Sequence, residues 1–139
     1  MVAVALLSVA LSACMPADAQ TFLTRTNAVR STEGVRLLVE HPVLTNKAES
    51  WARHMASTGV LSHSNVTSGL GTLNWTVLGE NVGVSGSTVN PLLYIHNAFM
   101  NSPLHRANIV DPRFTHMGVG VAKDSRGRTW VVEVFARVV

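Results

Sequence analysis

The chain has 139 residues, six histidines, one cysteine and a formal net charge of +3 at pH 7. This length predicts a single domain of ordinary size with its own apolar core. A lone cysteine excludes a scaffold held together by internal disulfides. The basic residues are scattered along the sequence, so the positive charge does not favour nucleic-acid binding.

The N-terminal segment is predicted to be a leader. Residues 2–13 form an apolar run too short to cross a bilayer, which takes about 20 apolar residues. Two processing signals follow this run. Leu11-Ser12-Ala13-Cys14 resembles a bacterial lipobox, in which Cys14 would be lipidated, whereas Ala17-Asp18-Ala19 fits ordinary signal peptidase. We therefore expect a leader over 1–19 and a secreted or cell-envelope protein, attached to a membrane only through a lipid anchor at Cys14.

Helical periodicity dominates the next part of the chain. A short helix is predicted over 22–31, and a longer amphipathic helix is predicted to end near Gly59. Asn90-Pro91 indicates the start of a third helix, and Ser102-Pro103 the start of a short fourth one. The apolar residues with helical spacing in the long helix are Leu44, Ala48, Trp51, Ala52, Met55 and Ala56.

The pattern becomes extended after Phe114. Strands are predicted over 115–122 and 129–136, and the turn between them makes a hairpin. A further strand is expected over 75–78, with Gly79 ending it just before Glu80. Helices followed by strands, without βαβ alternation, predict an α+β fold in which helices pack on an antiparallel sheet.

Three polar residues in turn-like contexts are the candidates for a functional site: His63, Glu80 and His105. Two neutral imidazoles suit Zn²⁺, with Glu80 as a further ligand or as the acceptor of an imidazole N–H. The same three groups suit proton transfer in a hydrolase. The alternative is structural, with each side chain stabilising its own turn. Asn27 and Arg30 are expected to tie the first helix to later loops.

Taken together, the motifs resemble the CAP superfamily, which comprises cysteine-rich secretory proteins, antigen 5 and pathogenesis-related 1 proteins and is also called the SCP family. The resemblance predicts a domain over 22–137 and is closest to the short, cysteine-free bacterial branch. The motifs that carry it are Asn27-x-x-Arg30, Ser62-His63-Ser64, Leu78-Gly79-Glu80-Asn81-Val82, Ser102-Pro103-Leu104-His105-Arg106-x-Asn108 and Gly118-Val119-Gly120-Val121.

The resemblance implies a three-layer α-β-α sandwich with a central antiparallel sheet. It also implies a groove that holds two histidines and two acidic residues. By motif, His63 and His105 are the histidines and Glu80 is one acidic residue, while Ser102 stands where the second glutamate would be. Asn27, Arg30, Asn81 and Ser102 are assigned to groove or structural roles.

Replacing one carboxylate by Ser102 weakens the case for catalysis. We therefore expect a non-enzymatic, monomeric binding module that takes a small molecule, a lipid or a cell-envelope ligand, with Zn²⁺ as the candidate cofactor at His63, His105 and Glu80. The alternative is a metal-assisted or His/Glu-dependent hydrolase of peptide or ester bonds.

Overall fold

The computed structural model describes residues 15–139, where four helices pack on a four-stranded sheet. Cys14 and most of the predicted leader lie outside this range. No helix within residues 15–139 is both long enough and apolar enough to cross a membrane. The helices are α1 (Ala17–Thr32), α2 (Pro42–Thr58), α3 (Pro91–Met100) and α4 (Pro103–Val110), and the strands are β1 (Val39–Glu40), β2 (Trp75–Ser85), β3 (His116–Lys123) and β4 (Thr129–Val138).

The sheet has the strand order β1-β3-β4-β2. β3 and β4 form the predicted hairpin, and β2 pairs antiparallel with the other side of β4. β1 adds only two residues to β3, in the parallel direction. The sheet is therefore antiparallel apart from this short edge, and β2 lies at the opposite edge.

The core has two halves, one on each face of the sheet. Successive side chains along a strand point to opposite faces and so contribute to the two halves in turn. On β4, Val131 and Phe135 pack with α1, α3 and α4, whereas Val132 and Val134 pack with α2. The sheet thus lies between α2 on one face and the other three helices on the other. This confirms the α+β class and the α-β-α layering.

Two glycines let α2 lie directly on β3. A Cβ atom at Gly118 would lie 2.1 Å from the backbone of Leu44, and one at Gly120 would lie 2.2 Å from the backbone of Ala48. Any side chain at either position would push the helix away from the sheet. The Gly118-Val119-Gly120 pattern is therefore a packing requirement between these two elements.

The prediction that Gly79 ends a strand is wrong, because β2 continues from Trp75 to Ser85 and pairs with β4 along this length. Gly79 is instead needed for packing. A Cβ atom there would lie 2.8 Å from the ring of Phe114 and 3.0 Å from Oδ1 of Asn108. The missing side chain makes room for those residues while the backbone stays extended.

One further detail differs from the sequence prediction. Helix α1 begins at Ala17 rather than at residue 22, and Ala19 on its first turn is buried in the core. Trp130 on β4 is buried, whereas Trp75 is 37% exposed because it begins the edge strand β2.

Candidate functional site

The candidate site lies at the outer edge of β2. Glu80 is in the middle of this strand, and its side chain shares the face that packs with α2, as the neighbouring Val82 does. His63 lies in the loop that follows α2, and His105 lies in the first turn of α4. The fold therefore brings a loop, an edge strand and a helix start to one place.

Glu80 and His63 are in direct contact. The Oε1 atom of Glu80 lies 2.8 Å from Nδ1 of His63 and accepts a hydrogen bond from the backbone N–H of Ser64. Its Oε2 atom accepts a hydrogen bond from the hydroxyl group of Ser64. The Glu80 side chain is 3% exposed and that of His63 is 62% exposed. A buried carboxylate therefore holds an accessible imidazole through its Nδ1 atom. The Nε2 atom of His63 takes no part in this contact.

His105 is held in a similar way by a neutral partner. Its Nδ1 atom lies 2.8 Å from Oγ of Ser102, and its ring stacks on Phe99 with centroids 4.9 Å apart. Burial lowers the pKa of His105 below its ordinary value of 6.5, and the nearby His63 lowers it further. The imidazole is therefore neutral at pH 7. Its Nδ1 atom is used by the contact to Ser102, and its Nε2 atom is not.

A hydrogen-bond network behind the site fixes these elements to one another. Asn81 donates to the carbonyl oxygen of His105 at 3.1 Å and to Oε2 of Glu133 at 2.9 Å. Asn108 donates to Oδ1 of Asn81 and to the carbonyl oxygen of Glu80. The network thus couples β2, β4 and α4 on the face of the sheet opposite α2, and it holds the backbone of His105.

Glu133 is the ionisable member of this network and is completely buried. Its Oε1 atom accepts a hydrogen bond of 2.8 Å from Thr26 on α1. Burial raises the pKa of Glu133 from its ordinary value to about 7, although the hydrogen bonds from Asn81 and Thr26 act in the opposite direction. This carboxyl group therefore titrates near neutral pH.

Asn27 and Arg30 hold α1 to two other segments. Arg30 is fully buried and donates to the carbonyl oxygens of Arg36, Ile109, Asp111 and Phe114, at 2.7 to 3.4 Å. Asn27 exchanges hydrogen bonds of 2.9 and 2.8 Å with the backbone of Leu38. Both side chains contact backbone near β1 or at and after the end of α4, and neither has a hydrogen bond to His63, Glu80 or His105.

The donor set available to a metal consists of imidazole nitrogens. Within residues 15–139, no group of three or more His, Cys, Asp or Glu residues is arranged to hold a metal ion. Both oxygens of Glu80 already accept hydrogen bonds from His63 and Ser64. Of the two roles considered for Glu80, the geometry fits the acceptor of an imidazole N–H better than a direct ligand.

Comparison with known proteins gives the family. The profile described as CAP, the cysteine-rich secretory protein family, matches residues 23–135. The chain belongs to the CAP family. This confirms the resemblance drawn from the motifs, and the CAP domain accounts for all eight helices and strands described above, apart from the ends of α1 and β4.

Similar proteins come from several bacteria. The uncharacterised protein YkwD of Bacillus subtilis is 28% identical over 120 residues, covering 81% of this chain and 44% of YkwD. An extracellular SCP-domain protein from Bacillus anthracis is 25% identical with a TM-score of 0.73, covering 86% of this chain and 40% of that one. An outer surface protein from Borrelia burgdorferi is 15% identical with a TM-score of 0.77, covering 88% of this chain and 93% of that one. The chain thus spans less than half the length of the two Bacillus proteins.

Sequence reasoning missed Glu133 and left Asn108 as part of a motif without a role. A signal for Glu133 exists, because it is the only charged residue between Trp130 and Ala136 in a strand that is otherwise apolar. A lone carboxylate at a core-facing position of a strand needs buried partners. Those partners, Thr26 and Asn81, are too far away in sequence to be found without the fold.

Proposed function

We propose that this CAP domain is an exported, non-enzymatic binding module in which His63 and His105 take a divalent metal ion or the polar end of a small envelope ligand. The observation that carries the proposal is the state of Glu80. Its side chain is 3% exposed, and both carboxylate oxygens accept hydrogen bonds from His63 or Ser64, so it orients an imidazole rather than meeting a substrate as a general base.

Location outside the cytoplasm is part of the proposal. The apolar leader expected over 1–19 supports it. The Bacillus anthracis and Borrelia burgdorferi neighbours are described as extracellular and as an outer surface protein, respectively. A small or lipid-like ligand from the cell envelope would be available to a domain in that position.

The chemistry of the two histidines suits Zn²⁺. Each ring is held through Nδ1, by Glu80 or by Ser102, which leaves Nε2 as the ligand atom of a neutral imidazole. Two protein nitrogens leave the remaining positions of a tetrahedral ion to water or to a ligand. Such an open site binds less tightly than a closed structural site and exchanges its outer ligands.

The test is calorimetric titration of Zn²⁺ into the full chain at neutral pH, compared with a His63→Ala, His105→Ala double variant. We expect micromolar binding that is lost in the double variant. His54→Ala, which removes an exposed histidine on α2, is the matched control and should bind like the original protein. Absence of binding, or binding that survives the double change, would refute the metal site.

One observation favours a hydrolase as the second candidate. The Ser102 hydroxyl lies 2.8 Å from Nδ1 of His105, as a serine nucleophile and its base would. Among the described residues, however, no carboxylate is hydrogen-bonded to His105 to orient it and to stabilise its charged form. We therefore expect no ester or peptide turnover above that of a Ser102→Ala variant, measured with nitrophenyl esters and a peptide library.

A further inference from the structure

A second groove lies beside the histidine site, on the far side of Ser64. It has a volume of about 490 Å³ and runs between α2 and the loop over 64–69. Ser64 separates the two sites, because its N–H and hydroxyl bond to Glu80 while the residue also lines this groove. Neither His63 nor His105 lines it.

The walls of the groove are fixed before any ligand arrives. The ammonium group of Lys47 on α2 donates to the carbonyl oxygens of Asn65 and Ser68, at 2.8 and 2.9 Å, and so ties the loop to the helix. The indole N–H of Trp51 donates to the carbonyl oxygen of Ser62 at 2.8 Å. A preformed groove loses little conformational entropy on binding.

The polar groups of the lining are neutral amides and hydroxyls, apart from Lys47. Lys47 is 9% exposed, two of its three N–H donors are used by the loop, and the nearby Glu80 carboxylate offsets its charge. The side chains of Asn46 and Ser50 make no hydrogen bond to another described residue, and they lie one helical turn apart on α2. The groove therefore offers free donors and acceptors without a strong net charge.

Trp51 supplies an apolar surface next to these polar groups. The indole is half-buried, and His54 stacks on it with ring centroids 4.5 Å apart. Trp51 is also one of the residues that line the groove. Sugars match such a lining, because a pyranose ring has an apolar C–H face and a rim of hydroxyl or acetamido groups.

We propose that this groove binds a neutral saccharide, with one sugar ring against Trp51 and its polar rim bonded to Asn46, Ser50 and Asn65. This site is separate from the histidine site and does not depend on a metal. An acidic sugar is a poorer fit, since the one cation in the lining, Lys47, already donates to two loop carbonyls and lies near the Glu80 carboxylate.

The test is an NMR titration of the full chain with triacetylchitotriose, a neutral N-acetylated sugar. The reporter is the indole N–H signal of Trp51, assigned by its disappearance in Trp51→Phe. We expect a saturable shift of this signal at millimolar sugar, with smaller effects on the signals of Trp75 and Trp130. No saturable shift would refute the proposal.

Three variants and a second sugar make the result specific. Asn46→Trp places a bulky ring in the groove from an exposed helix position and should weaken binding about tenfold or more, about 1.4 kcal/mol. Asn97→Trp, the same change at an exposed position on α3, should leave binding unchanged. The His63→Ala, His105→Ala variant should also keep it, which separates this proposal from the metal site. Binding that survives Asn46→Trp, or binding only of trigalacturonate, would contradict the proposed site.

Discussion

At the scale of single residues, Glu80 is the most constrained group of the candidate site. It is buried, and each of its oxygens accepts at least one hydrogen bond from His63 or Ser64. A carboxylate can accept all of these bonds, whereas an amide must turn an NH₂ group toward one of the donors. The charge and symmetry of this side chain therefore matter as much as its size.

Glu80→Gln tests that conclusion. We expect the free energy of unfolding to fall by about 1–3 kcal/mol, because a buried donor loses its acceptor. If the metal site exists, Zn²⁺ affinity should also fall by about 10- to 100-fold, because His63 loses the group that orients it. Chemical denaturation and calorimetry measure the two effects. Glu49→Gln, on α2, is the control, and a Glu80 variant that behaves like it would show that Glu80 does not hold His63.

Arg30 is the second residue whose surroundings permit little change. Its guanidinium group is buried and bonded to four backbone carbonyls from two segments. Burial lowers its pKa, while Asp111 acts in the opposite direction. Arginine keeps its charge under these conditions because its ordinary pKa is so high.

Arg30→Lys should therefore destabilise the fold although the charge is kept. A lysine has three donors at one point and cannot reach four separated carbonyls, so we expect a loss of at least ~2 kcal/mol in the free energy of unfolding. Urea denaturation checks this. Arg53→Lys, at a side chain that is 67% exposed, should change stability by less than about 0.5 kcal/mol. Equal effects of the two changes would mean that the carbonyl cluster contributes nothing.

At the scale of elements, the contact between α2 and β3 depends on two glycines. Gly118→Ala and Gly120→Ala would each place a methyl group about 2 Å from helix backbone, which cannot move aside as a side chain does. We expect each change to lower stability by about 3 kcal/mol or more, measured by thermal or chemical unfolding. Gly86→Ala is the control, since no atom lies within 4 Å of a Cβ there. A mild effect at Gly118 would mean that α2 can shift at little cost.

These glycines also show what sequence reasoning can and cannot find. Periodicity predicted α2 and the β3–β4 hairpin, and the Asn-Pro and Ser-Pro start signals predicted α3 and α4, because each of these patterns is local. It failed at Gly79, where the reason for glycine is a ring and an amide from distant segments, Phe114 and Asn108. The residues of the candidate site could be named from motifs, but the contacts that fix Glu80 and the burial of Glu133 depend on pairing that only the fold supplies.

At the scale of the whole molecule, the dependence of stability on pH combines groups with opposite signs. The pKa values of His96, His105 and His116 are lowered, chiefly by burial. Their contribution to stability is present above the unfolded value of about 6.5 and is lost as the pH falls through the folded values. The pKa of Glu133 is raised, so its folded form holds a proton that the unfolded chain has already released.

The effect of Glu133 on the pH dependence of stability is therefore opposite in sign to that of the three histidines. Between its ordinary pKa of 4.5 and about 7, the folded state binds more protons than the unfolded state, so this group makes the protein less stable as the pH rises. Above about pH 7 the carboxylate is charged in both states and the loss is complete. A shift of this size corresponds to about 3 kcal/mol, which is a large share of the stability of a small domain.

Glu133→Gln separates this effect from that of the histidines. Glutamine can accept from Asn81 and donate to the Thr26 hydroxyl, so it resembles the protonated glutamic acid at every pH. We expect the two proteins to be similarly stable near pH 4.5, and the variant to be more stable by about 3 kcal/mol near neutral pH. Urea denaturation across this range measures the difference, with exposed Glu33→Gln following the original curve. Parallel curves for Glu133→Gln and the original protein would show that Glu133 does not titrate between the two pH limits, and that its network with Asn81 and Thr26 carries a fixed charge instead.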